Sequence, residues 1–171
     1  MIKILFADPA KCTGCNRCTY VCSAVKEDIF APEQARIRIN NFPHLGFSVP
    51  SICFQCPNAP CHKACQFDAI SRNADDVVVV DADKCTACGE CVDACPYGMI
   101  ELLNSIATKC DYCDGDPACV KECYTGALVF QEKTPELIKL KGVQMKQRSA
   151  DGSPLEKRVR LGKAILTLTR G

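Results

Sequence analysis

The sequence predicts an α+β protein of short antiparallel strands and short helices, folded as two units with one nested inside the other, followed by a basic C-terminal arm. Two observations carry that expectation. Of 171 residues, 16 are cysteine, about 9%, several times ordinary usage. These cysteines fall into four groups of four, a repeat that sets the organisation before any single element is considered. Aromatic residues are only 6% and Trp is absent, so a large apolar core is not expected and something else must help to hold the chain together.

The remaining composition excludes several classes. A formal charge of +1 gives no bulk attraction to nucleic acid or to an anionic membrane surface. No apolar stretch reaches the roughly 18 residues of a spanning helix. The start, MIKILFADPAKC, has too short an apolar segment for a secretory signal and no twin-Arg. The expectation is a cytoplasmic chain, where thiols stay reduced and clustered cysteines mean metal ligation before disulfides.

Run one is Cys12, Cys15, Cys18 and Cys22; run three is Cys85, Cys88, Cys91 and Cys95. Both follow C-x2-C-x2-C-x3-C. Run two (Cys53, Cys56, Cys61, Cys65) and run four (Cys110, Cys113, Cys119, Cys123) widen the middle spacing and keep both ends. No cysteine is left over. Asp8 and Lys11 precede run one at the offsets at which Asp81 and Lys84 precede run three.

In chain order, Ile2, Ile4 and Phe6 alternate with Lys3 and Leu5, which predicts a first strand. Short helices are expected where C-x3-C closes a run, over Thr19–Val25 and Val92–Ala94. After each later run a small residue leads into apolar ones: Ala69-Ile70, Gly98-Met99-Ile100, and Gly126 to Phe130. These read as strands, as does Val77–Val80 beyond a polar Ser71–Asp76 turn.

This spacing has a chemistry. A [4Fe–4S] cubane takes one thiolate per iron; C-x2-C-x2-C supplies three, and the cysteine three residues on completes the neighbouring cluster, as in two-cluster ferredoxins. Sixteen cysteines then hold four [4Fe–4S] clusters, about sixteen irons. Only 19 residues separate Cys65 from Cys85, and they read strand, turn, strand, so runs two and three form an inner two-cluster unit over 53–103. Runs one and four form an outer unit over 1–52 and 104–131, with the first strand meeting Ala127–Phe130. The nested groups are Cys12, Cys15, Cys18 with Cys123; Cys110, Cys113, Cys119 with Cys22; Cys53, Cys56, Cys61 with Cys95; and Cys85, Cys88, Cys91 with Cys65. Sequential pairing, one with two and three with four, is the alternative; it leaves 30 residues between Cys22 and Cys53 and 14 between Cys95 and Cys110.

Over Met1 to about Gln131 the chain resembles the four-cluster ferredoxin-like electron-transfer subunits of the dimethyl sulfoxide reductase iron–sulfur family. CFQCPNAPCHKAC and PACVKECYTGAL carry the resemblance most specifically. It implies one-with-four and two-with-three pairing and a non-catalytic role. It also implies a catalytic partner, foremost a tungsten or molybdenum pterin oxidoreductase of the aldehyde-oxidising type, together with a second redox partner. Hydrogenase and formate dehydrogenase complexes, or a free soluble polyferredoxin, are the other implied settings. The family often has Pro after each run; here only Cys95 does (Pro96), while Ser23, Gln66 and Tyr124 follow the others.

Competing readings are blander. Structural zinc uses two separated C-x2-C pairs, so a zinc-stabilised adaptor wastes these triplets. His44 and His62 are surface residues when sixteen thiols suffice. Lys11, Lys84 and Lys109, each before a run, either tune a cluster's potential or are simply solvated. Tyr20, Tyr97, Tyr112 and Tyr124 pack as rings or flank clusters. No nucleotide-binding or catalytic-triad motif appears, so no substrate chemistry is expected.

From residue 131 the composition changes. The tail carries ten basic and four acidic residues, the rest of the chain eleven and sixteen. Asp151-Gly152 reads as a turn and Ser153-Pro154 as a helix start, with Leu161, Ala164, Ile165 and Leu168 on one stripe. Residues 132–171 are expected either to pack on the acidic body or to act as a docking arm, including head-to-tail on a second copy.

Overall fold

The computed structural model describes residues 3–170, with side chains as far as Leu168. Ile2, counted in the expected first strand, lies outside them. In order the elements are β1 (Lys3–Ala7), α1 (Arg17–Glu27), β2 (Arg38–Phe42), β3 (Phe47–Ser51), α2 (Pro60–Ala64), β4 (Ile70–Arg72), β5 (Val78–Val80), α3 (Glu90–Ala94), β6 (Ile100–Leu103), β7 (Ile106–Lys109), α4 (Ala118–Lys121), β8 (Leu128–Glu132), α5 (Pro135–Met145) and α6 (Pro154–Arg170). The mixture of short helices and small antiparallel strands is the α+β architecture expected.

Among the described residues the strands pair only in twos, all antiparallel. β4 pairs with β5 as a tight hairpin, Ile70 opposite Val80. β1 pairs with β8 across most of the chain, Leu5 opposite Phe130 and Ala7 opposite Leu128. α1 packs on α4 and α2 on α3. Two main apolar clusters result. One gathers Ile70, Val78, Tyr97, Ile100, Leu161 and Ile165 around cysteines of runs two and three. The other gathers Leu5, Ile37, Ile52, Tyr112 and Leu128 mainly around cysteines of runs one and four.

Several details differ from expectation. β1 does not alternate: Ile4, Leu5, Phe6 and Ala7 are all buried. Leu5 and Ala7 face the cysteines, while Ile4 and Phe6 are covered by Leu137 of α5. Helices start before the third cysteine of each run, and α2 and α3 stop with Cys65 and Cys95 at their C-caps in extended backbone. Only α1 carries its fourth cysteine, Cys22, inside the helix. The hairpin β2–β3, the strand β7 that pairs with β6, and the helix α5 were not read from the sequence.

The tail folds back on the body. α5 starts as a capped helix, Thr134 Oγ1 accepting from Leu137 N with Pro135 at the first position. α6 starts where expected, with a reciprocal capping box: Ser153 N donates to Glu156 Oε2 (2.8 Å) and Glu156 N donates to Ser153 Oγ (3.3 Å). Leu161 and Ile165 bury themselves on the body, whereas Leu168 of the same stripe is exposed. Tyr97 Oη donates to Met145 O (2.7 Å), Gln144 Nε2 to Ala7 O (3.2 Å) and Lys157 Nζ to Asp93 O (3.0 Å).

Gly98 and Gly126 occupy the same place three residues after a run and share a φ of +65°. A Cβ on Gly98 would overlap the Pro154 carbonyl at the head of α6; one on Gly126 would meet nothing within 4 Å. Gly126→Ala is therefore expected to cost about 1–2 kcal/mol of backbone strain alone. Gly98→Ala should cost distinctly more and lift α6, read as faster proteolysis between Ser149 and Ser153. Equal costs for the two variants would contradict this.

Candidate metal centres

All four cysteine runs bend their backbone alike. The residue before the second cysteine has positive φ in each: Gly14 (+72°), Gln55 (+49°), Ala87 (+57°) and Tyr112 (+64°). Three of these are not glycine, and each such residue holds strain of about 1–2 kcal/mol that its surroundings must impose. In runs one, three and four another positive φ follows directly after the second cysteine, at Asn16 (+60°), Gly89 (+85°) and Asp114 (+52°). Successive N–H groups held in such turns form anion-binding concavities.

The thiols group across the runs, as their mutual electrostatics record. Burial, then the charges of Cys12, Cys15 and Cys123, pushes Cys18 up to about 12. Burial, then Cys53, Cys95 and Cys61, does the same to Cys56. Cys91 rises to about 11 through burial, Cys85 and Cys88, with Cys65 also contributing. Cys119 is raised by burial and by Cys110, Cys22 and Cys113. Each set joins three cysteines of one run to the last cysteine of another, one with four and two with three.

Backbone donors face these sulfurs. Arg36 N donates to Cys22 Sγ (3.2 Å), Ala107 N to Cys85 Sγ (3.3 Å), Met99 N to Cys95 Sγ (3.4 Å) and Gln55 N to Cys53 Sγ (3.5 Å). At Cys123 burial raises the thiol, but donation from Thr125 and from backbone N–H groups outweighs it, leaving the net shift downward. Among the described residues no three His, Cys, Asp or Glu side chains converge on one ion's position. A cubane asks for something wider, four thiolates each on its own iron corner, with N–H groups turned toward sulfur. Sets of four thiols ringed by such donors fit that group.

Exposure separates the sets. Cys15 and Cys88 are the exposed thiols; the sets containing Cys110 and Cys53 have none, and these two sets abut, Cys53 acting on the buried Cys110. His44 and His62 are exposed, away from any such role. Tyr97 and Tyr112 are buried beside the sulfurs, and Tyr20 and Tyr124 are exposed. Of the three lysines singled out, Lys11 and Lys84 are exposed and paired with Asp8 (3.8 Å) and Asp81 (3.2 Å). Lys109 is buried, its ammonium donating to the carbonyls of Val78 and Cys110.

Two residues at the junction escaped sequence reasoning. Gln55 clasps runs two and four: Nε2 donates to Cys110 O (2.8 Å) and Oε1 accepts from Val78 N (2.8 Å). Its position inside the CFQC loop was the available signal. Lys141, in the cysteine-free tail, is buried near Cys53, and no sequence signal marks it.

Residues 45–133 match the 4Fe-4S dicluster domain and residues 9–25 a 4Fe-4S binding domain. The chain belongs to the 4Fe-4S dicluster family and is an iron–sulfur protein of the electron-transport kind. It is similar to the polyferredoxin-like subunit of aliphatic sulfonate oxidoreductase from Pyrococcus furiosus, 42% identical over 68% of each chain. The thiosulfate reductase electron transfer subunit PhsB of Salmonella typhi is 35% identical over 74% of each. The electron transport protein HydN of Escherichia coli is 32% identical over 78% of this chain and 90% of its own. Among solved structures, a chain of the BamBC active site complex of benzoyl coenzyme A reductase aligns at TM-score 0.44 and 20% identity, over 99% of this chain and 98% of that one. Among the described residues no helix is long and apolar enough to cross a membrane.

Proposed function

We propose that the chain is the non-catalytic electron-transfer subunit of an oxidoreductase complex, carrying four [4Fe–4S] clusters on all sixteen cysteines in two nested two-cluster units. The carrying observation is the grouping of thiols as three from one run and one from its partner run. Each cluster, when bound, supplies a one-electron couple. The protein's own residues hold the sulfurs, exclude water with Ile70, Val78, Leu5 and Leu128, and aim N–H groups at sulfur. Both the burial and the N–H groups tune potential.

The order of the sets follows from their neighbours. Cys18 acts on Cys119, and Cys53 on Cys110. The set of Cys12, Cys15, Cys18 and Cys123 therefore adjoins that of Cys110, Cys113, Cys119 and Cys22, which adjoins that of Cys53, Cys56, Cys61 and Cys95. The set of Cys85, Cys88, Cys91 and Cys65 completes the line through the α2–α3 packing. The exposed Cys15 and Cys88 mark the two ends as the places where partners exchange electrons.

The proposed donor or acceptor at one end is a catalytic subunit of the tungsten or molybdenum pterin type. The Pyrococcus furiosus relative, a polyferredoxin-like subunit of an oxidoreductase, supports a fixed complex. The tail, on this proposal, braces the body and keeps Ile138, Leu140, Leu155 and Leu168 outward for a neighbouring subunit or a second copy.

Anaerobically purified protein is expected to show broad visible absorption bleached by dithionite, with about sixteen irons and as many sulfides per chain. Colourless protein carrying zinc would replace this reading with a structural adaptor. Cys22→Ser should damage the cluster of run four and spare that of run one; the reverse would overturn the nested partition. Identification of a co-eluting catalytic subunit separates a fixed subunit from a free polyferredoxin.

A further inference from the structure

Cations of different burial stand along this line of thiols. Beside the end sets Lys11 and Lys84 are exposed, each next to an aspartate, while Lys157 is buried and donates to Asp93 O in run three. The middle has two buried lysines. Lys109 is held by backbone carbonyls. Lys141, 9% exposed on α5, lines a small cavity together with Cys53, Phe54, Met99 and Gln144. The charges that reach it include the thiolates of Cys53, Cys56 and Cys110 and the like charge of Lys133, and a second cavity that it lines also carries Asp75 and Asp76. Burial opposes its charged form and the thiolates favour it. Such a charge is weakly screened, and it acts more strongly on whatever electron density sits at Cys53 and Cys56 than a surface lysine does.

We propose that Lys141 raises the reduction potential of the cluster bound by Cys53, Cys56, Cys61 and Cys95. This rests on the four-cluster reading above. A positive charge favours the more negative, reduced state of a nearby centre, and net charge and burial are the levers that set such potentials. The tail thereby acts on the redox chain although it contributes no ligand.

The test is an anaerobic titration of the full holoprotein with dithionite, which supplies one electron per cluster, followed by electron paramagnetic resonance. Lys141→Met removes the charge at similar shape and Lys141→Arg keeps it; Lys139→Met, on the exposed side of α5, is the control. Lys141→Met is expected to lower one of the four reduction equilibria at least tenfold, 59 mV for a one-electron couple. The other three should move less, Lys141→Arg should restore most of the loss, and Lys139→Met should change nothing. Four unmoved potentials in a Lys141→Met protein with full iron content overturn the proposal. So does loss of a cluster in both Lys141→Met and Lys141→Gln, which makes the residue one of assembly. Wild-type protein without four reducible centres sinks instead the function on which the proposal rests.

Discussion

Removing iron from the holoprotein under anaerobic conditions is expected to abolish cooperative folding, not merely to bleach it. Both main apolar clusters are built around cysteines: Cys91 and Cys95 are buried in one, and Cys18, Cys22, Cys110 and Cys119 in the other. With few aromatic side chains and four separate two-stranded sheets, little apolar packing stands apart from those sulfurs. Metal-binding free energy in such a chain is folding free energy, and for structural metal sites it reaches about 10–16 kcal/mol, as much as a whole domain's stability. Circular dichroism and hydrogen exchange before and after chelation measure the loss. An iron-free protein that kept its native melting transition would refute it.

The thiols also give this equilibrium a pH dependence of fixed sign. Burial pushes Cys18, Cys56 and Cys110 up to about 12 and Cys61 and Cys91 to about 11. Those values belong to the folded chain. Where folding is lost with the metal, the sulfurs are exposed and return to the ordinary cysteine range, about 8.5. They still hold protons at neutral pH, and ligation releases them. Cluster binding must therefore strengthen as pH rises toward about 8.5, each such thiol contributing up to a tenfold gain per pH unit. Reconstitution that weakened between pH 7 and 9 would contradict the assignment of these cysteines as ligands.

The cysteine runs were legible because ligand spacing survives as letters. So were β1 and β8, whose apolar runs flank the first and last cysteines. The hairpin β2–β3 was not read, although Ile37 and Ile39 alternate with Arg36 and Arg38 into its first strand. Asn40, Asn41 and Pro43 break the apolar pattern there, and the hairpin is fixed instead by packing, with Asn41 and Ser48 crowding Gly14. The helix α5 carries the same Thr/Ser-Pro start as α6, but its lysines and Gly142 hide an apolar face that is narrow, chiefly Leu137. The tail's charge misled most: Lys141, Lys157 and Arg158 are buried, and a buried lysine is written like an exposed one. Burial is a property of what folds against a residue, here elements more than 40 positions away.

Loss of the Glu101 carboxylate is the largest single side-chain effect expected away from the sulfurs. Glu101 of β6 accepts from Arg38 of β2 through Oε2 (2.9 Å) and from Arg158 of α6 through Oε1 (2.9 Å). Arg158 is 5% exposed, its guanidinium also donates to Gly98 O (2.6 Å), and its Nε has no partner among the described residues. One carboxylate thus compensates two cations and ties three elements whose sequence separation is large. Glu101→Ala leaves a buried guanidinium uncompensated, for which about 3–5 kcal/mol is the usual cost. Because Glu101 is about a quarter exposed, the lower end is expected. Pairing it with Arg158→Met should recover much of the loss, since a buried ion pair replaced by apolar atoms is often close to neutral. Denaturant unfolding of the holoprotein, with absorbance checking that cluster content is unchanged, supplies the cycle. If Glu101→Ala falls within about 0.5 kcal/mol of wild type, or the double variant is no better than the single, the tail is not braced by charge. α6 would then be held by Leu161, Ile165 and its hydrogen bonds to Asp93 O and Gly98 O.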